Sequence, residues 1–229
     1  MKKIFSVSVI AAFAFCMFAT IQVNAQKVKF AGTVKLSVRY EGDIDPQKHT
    51  PKEAVYTIFG NKIKQQGDGQ ILIMDGDAYT TTILLDVPGE PMGAVMKKEE
   101  MQEMYEGMKF TFEKTEETKT ICGLVCTRYN VKMYDIEEDE EQNMIIYTTT
   151  EIGDNNNINN TFISYPGLTG FPMYMEFESN DVKTIQEVIE VKKAKVKAVD
   201  FLIPSKYKIY DSQNEMSERL QELFGGGGE

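Results

Sequence analysis

The 229-residue sequence predicts an α+β protein in which strands dominate. Three observations carry that prediction. Beyond residue 28, apolar residues recur mostly at every second position, the period of a half-buried strand. Gly, Pro, Asn and Asp cluster between these runs, where turns need them. Helical periodicity is confined to two short segments, residues 97–107 and the stretch that begins at Ser212.

Taken in order, residues 28–40 alternate Val34, Leu36, Val38 and Tyr40 against Lys35, Ser37 and Arg39, a long half-buried strand. A polar loop with two prolines follows and holds His49. Residues 54–59 and 70–74 read as strands, Asp75-Gly76-Asp77 as a hairpin turn and 78–85 as its return strand. Asp75 and Asp77 lack the further oxygen ligands of a calcium loop, so the turn reading stands. Residues 88–93 break the strands. The first helix is expected over 97–107, with Met101, Met104, Tyr105 and Met108 on one stripe and Met92 and Met96 leading into it. Strands resume at 109–113, with Phe110 and Phe112 on one face, and at 124–134, with Val125, Tyr129, Val131 and Met133 together. The acidic run Glu137 to Glu141 is a solvated turn. Residues 143–150 form the next strand, and 153–160 an asparagine-rich loop. A turn motif, Tyr165-Pro166-Gly167-Leu168-Thr169-Gly170-Phe171-Pro172, then feeds Met173, Met175 and Phe177, which alternate with Tyr174, Glu176 and Glu178. Residues 182–199 are rich in β-branched side chains and read as a strand despite their Lys/Glu content. Ser212-Gln213-Asn214-Glu215 is a capping box that opens a short amphipathic helix.

Lys2 and Lys3 precede an apolar run over residues 7–19, and Val23-Asn24-Ala25 closes it, the pattern of a secretory signal peptide cleaved before Gln26. The bulky Phe15 before Cys16 argues against lipidation there. The expected organisation is a signal peptide over 1–25, one domain over 26–224 and a flexible glycine tail over 225–229. The expected location is periplasmic or secreted. Loss of the leader removes two lysines and no acids, which moves the net charge from −10 to −12. Such an acidic chain disfavours nucleic acid and anionic membrane surfaces as partners. No later run is long enough to span a bilayer.

Cys122 and Cys126 remain after cleavage. Residues four apart on a regular strand lie roughly 13 Å apart, beyond disulfide reach, although a bulge at Gly123 would shorten the gap. The pairing stays open at this point. With a single histidine no metal site or cofactor is expected, and the absence of paired carboxylates or a Ser-His or Cys-His arrangement points away from an enzyme.

The order Ile121-Cys122-Gly123-Leu124-Val125-Cys126, then Ile146 to Ile152, then the turn motif, then Phe201-Leu202-Ile203-Pro204-Ser205-Lys206-Tyr207-Lys208 resembles the exported Bacteroidetes families of unknown function, the GLPGLI-type and its relatives. More distantly it is similar to the outer-membrane lipoprotein carrier and receptor group. The resemblance implies a curled antiparallel sheet, an unclosed half-barrel, with two short helices across its concave face. The expected function is an envelope protein that binds an apolar ligand, such as a lipid or lipoprotein acyl chain, in that concave face. The candidate ligand-binding residues are Met96, Met101, Met104, Met108, Met173, Met175 and Phe177, since flexible methionine surfaces suit adaptable apolar contacts. The competing expectation is a structural or protein-interaction module of the envelope with no small-molecule ligand.

Overall fold

The computed structural model describes residues 30–42, 52–67, 69–103, 106–137, 139–153, 168–179 and 181–225. The expected leader, His49, Met104, Tyr105, most of the asparagine-rich loop and the glycine tail beyond residue 225 lie outside them.

Twelve strands form one sheet: β1 Ala31–Gly42, β2 Lys52–Phe59, β3 Lys62–Gly67, β4 Gln70–Asp75, β5 Thr80–Leu85, β6 Met92–Lys97, β7 Met108–Ile121, β8 Leu124–Asp135, β9 Glu140–Thr149, β10 Phe171–Ser179, β11 Val182–Lys193 and β12 Lys208–Tyr210. Their spatial order is β12-β6-β5-β4-β3-β2-β1-β11-β10-β9-β8-β7. Two meanders, β1 to β6 and β7 to β11, are joined where β1 pairs antiparallel with β11. Every pairing is antiparallel except that of β12 with β6. The sheet does not close, because β7 and β12 remain its two ends.

The curl is visible in one side chain. Lys119 on β7 places its Nζ 3.6 Å from Glu187 Oε1 on β11. Four strand spacings separate those strands, about 19 Å on a flat sheet. No lysine spans that distance, so the sheet bends with the Lys119 side innermost. A break in the β7–β8 register between Lys114 and Thr118 helps the hairpin tip fold inward.

Among the described residues two α-helices accompany the sheet, α1 Lys98–Glu103 and α2 Gln213–Gly225. Sequence periodicity placed the first helix over 97–107. Instead Met92 to Lys97 form β6, which pairs with β5 throughout, and the helix is a six-residue continuation of that strand. The expectation that helices lie across the concave face over the methionines is corrected likewise. α2 seats Met216 and Leu220 on Met92, Ala94, Ile83 and Leu85 at the β12 end of the sheet. The capping box does open α2: Glu215 N–H donates to Ser212 Oγ at 3.2 Å. Arg219 on α2 forks onto Glu90, with its Nη2 2.7 Å from Oε2, and Tyr210 and Lys208 join the same carboxylate. A 3₁₀ turn at Ala198–Phe201 carries Phe201 onto Ile73 and Leu84, on the other side of β4 and β5.

Candidate functional site

Strand pairing sorts the side chains onto two sides. On the first, Ile58, Ile63, Met74, Thr81 and Met96 form a cross-strand row over β2 to β6. Each of these is at most 7% exposed, so this half is packed shut. Phe112, Val131, Met144 and Phe177 form a second row on the same side over β7 to β10. Tyr129, Ile146 and Met175 flank it on one side, Phe110 and Met133 on the other. Here only Val131, Tyr129 and Ile146 are buried, while Phe110, Phe112, Met133, Met144, Met175 and Phe177 stay half-buried. A continuous apolar surface that is incompletely covered distinguishes this half from the first.

Residues 165–167 of the turn motif lie outside the described residues; its continuation from Leu168 caps one end of that surface. Leu168 is 1% exposed and packs with Tyr129, Val131 and Ile146. The Thr148 hydroxyl donates to the Thr169 carbonyl at 2.6 Å. Gly170 has φ +90, and a Cβ there would stand 2.8 Å from the Thr149 carbonyl oxygen. Glycine is therefore required for the motif to approach β9 so closely.

The opposite side of β7 to β11 is polar and concave. A trough of about 660 Å³ there is lined by Glu113, Arg128, Asn130, Lys132, Glu176 and Lys183 among others. Its charges are largely matched: Arg128 with Glu117 at 2.6 Å, Lys132 with Glu141 at 3.1 Å and Lys183 with Glu176 at 3.0 Å. Deeper in the curl Tyr147 donates to Glu117 and Tyr174 to Glu176. The bond from Tyr147, then that from Arg128, holds the Glu117 carboxyl below its usual range. Burial works against ionisation of Glu176, but Tyr174 and Lys183 together outweigh it and the net shift is downward. Burial first, and then the bond to Glu176, pushes the Tyr174 phenol up. Lys119 Nζ sits 4.4 Å from the Tyr174 ring centroid, a cation–π contact. These groups satisfy one another, and they present no nucleophile paired with a base. Among the described residues no group of three His, Cys, Asp or Glu is gathered closely enough to hold a metal ion, and no helix is long and apolar enough to cross a membrane.

No protein-family model matches the chain, and no curated protein matches it in sequence. Among solved structures the chain is similar to LprF from Mycobacterium bovis, with 10% identity, a TM-score of 0.29, and coverage of 77% of this chain and 90% of the other. The fold described above rests on its own strand order and pairing.

The predicted ligand residues divide. Met108, Met173, Met175 and Phe177 all lie on strands that bear the half-open apolar surface, but Met173 is fully buried in a different cluster, with Val34 and Val188. Met96 points to the same side but stands on β6, seven strands from β10 in the sheet order. There it borders a separate cavity of about 350 Å³ with Glu100, Glu103 and Ser212 to Asn214. Met101 begins the second half of α1, and its side chain, like Met104, lies outside the described residues. Phe112, Val131 and Met144, the centre of the row, were not singled out from sequence. Alternation had placed Phe112 beside Phe110 and Val131 beside Tyr129, but only the register aligns β7, β8, β9 and β10. Cys122 and Cys126 are both free thiols. Ile121 pairs with Leu124, so Cys122 and Gly123, at φ 51 and 80, are the two central residues of a tight hairpin turn. Cys126 sits back along β8 opposite Lys119.

Proposed function

We propose that this is a non-catalytic binding protein of the cell envelope, which holds an apolar, chain-like ligand against the Phe112–Val131–Met144–Phe177 row. The single observation behind this reading is the contrast between two apolar rows on the same side of the sheet. Over β2 to β6 the row is packed shut; over β7 to β10 the Phe and Met members of the second row stay half-covered around a buried Val131. Methionine adapts to irregular hydrocarbon, which suits a ligand with many rotamers. The row runs across four strands, about 14 Å from first to last, a length that matches an extended acyl chain better than a compact ring. The seat is on the side opposite the polar trough, which differs from the oily concave face expected from resemblance. The leader pattern of residues 1–25 supports the envelope part of this reading.

The test is uptake of a fluorescent fatty acid by delipidated protein that starts at Gln26, together with native mass spectrometry for retained lipid. Phe177→Ser and Met144→Ser are each expected to weaken uptake by roughly tenfold or more, from the loss of one apolar side-chain contact. Absence of uptake and of bound lipid in the unsubstituted protein would overturn the reading.

A further inference from the structure

The sheet ends in an unusual edge. β12 is three residues long and lies beside α2, whereas β7 runs for fourteen residues, Met108–Ile121, with no described strand on its outer side. Charges on an edge strand ordinarily deter pairing with other chains. On β7 they are arranged so that the strand complements itself. We infer that the Lys109–Glu113 portion of β7 pairs antiparallel with the same portion of a second copy, about a two-fold axis at Thr111.

The register follows from the pattern. In a symmetric antiparallel pair, side chains directly opposite one another lie on the same side of the sheet. An axis at Thr111 puts Phe110 opposite the second copy's Phe112, and Lys109 opposite the second copy's Glu113. Each match occurs twice. An axis at Phe112 would set Lys109 against Thr115 and Glu113 against Thr111, so that neither charge is matched. An axis at Glu113 would set the two Glu113 carboxylates against each other. An axis at Phe110 would leave Lys109 against Thr111. Lys109, Thr111 and Glu113 are exposed, and Glu113 already receives Asn130 Nδ2 at 3.2 Å from within its own sheet, which orients the carboxylate. Beyond Lys114 the register break ends the regular edge, so pairing stops there.

The consequence deepens the proposed binding role and rests on it. Pairing carries the apolar side of one sheet into the apolar side of the next. The second copy's Phe110, followed by its Met133, then extends the Phe112–Val131–Met144–Phe177 row past the edge. The occupant is a second copy of this chain, because the match of charge and aromatic positions is self-complementary.

Edge pairing is read without any ligand, so its failure is separable from failure of lipid binding. Thr111 would face its own symmetry mate at about 4.5–5.5 Å between Cα atoms, within disulfide range. In a Cys122→Ser background, Thr111→Cys is expected to form an intermolecular disulfide under mild oxidation, and Glu116→Cys is not. Sedimentation of the disulfide-free protein supplies the second readout. Lys109→Glu alone and Glu113→Lys alone should each weaken self-association by roughly tenfold, since two opposite-charge pairs become like-charge pairs. The double exchange, Lys109→Glu with Glu113→Lys, should restore it. A protein that stays monomeric up to about half-millimolar would overturn the inference. So would a dimer indifferent to both reversals, or one crosslinked equally through positions 111 and 116.

Discussion

The Tyr129 hydroxyl lies 2.8 Å from the Thr169 hydroxyl, and this contact ties the turn motif to the apolar side of the sheet. Beside it Leu168 fills the space between Tyr129, Val131 and Ile146. Leu168→Ala is therefore expected to cost about 2–5 kcal/mol of stability, a large-to-small change at a buried site. Thr169→Val, which removes one partner of a part-buried bond, should cost about 1 kcal/mol. Urea unfolding followed by far-UV circular dichroism measures both. Equal effects at the two positions would contradict the seating of the motif by Leu168.

The C-terminal helix should loosen in acid. The bond from Arg219 holds the Glu90 carboxyl at about 2, against an ordinary value of 4.5. A carboxyl whose folded value lies below its unfolded value contributes stability that is complete above about 4.5 and declines as pH falls toward 2. Amide exchange in α2 should thus quicken as pH drops through that window, after correction for intrinsic rates. Arg219→Ala should show the faster exchange already at neutral pH and a flatter dependence below it.

The two thiols should differ in reactivity. Cys126 is fully buried, and burial pushes its thiol up to about 11. Cys122 is exposed at the hairpin turn. Protein that starts at Gln26 should therefore release about one equivalent of thiol with an aromatic disulfide reagent at pH 8, the second only on unfolding. Immediate reaction of both would place Cys126 outside the core.

Salt should also separate the two sides of β7 to β11. Uptake of an apolar ligand on the Phe112 row should change less than twofold between low and moderate ionic strength, because hydrophobic burial is nearly indifferent to charge screening. A steep loss of binding with salt would instead assign the ligand to the trough lined by Arg128, Lys132 and Lys183.

Much of the strand content was legible because the alternation is strong where one side is buried. β1, β8 and β10 follow the period-2 pattern closely, and the β-branched run from Val182 forms β11, but only to Lys193: the strand expected over 182–199 stops there, and Ala198 and Val199 enter the 3₁₀ turn. β3 was not visible. Lys62 to Gly67 contains a single apolar residue, Ile63, and is held as a strand by its pairing with β2 and β4. β6 was misread as the approach to a helix, since Met92, Ala94 and Met96 are good helix formers whose partners on β5 decide otherwise. The candidate site was half legible. Met175 and Phe177 stood out by their alternation, but their neighbours Met144 and Phe112 come from strands 33 and 65 residues earlier in the chain, counted from Phe177. Which strand lies beside which is a property of topology, and β1 beside β11 could not be read from local pattern.

The most direct measurement is photocrosslinking with a fatty acid that carries a diazirine on its chain, followed by peptide mapping. Binding on the half-open apolar surface predicts adducts concentrated on the β7 to β10 peptides that contain Phe112, Val131, Met144 and Phe177, competed away by unlabelled fatty acid. Adducts confined to α2 or the Met96 cavity, or spread without competition over the whole chain, would contradict it.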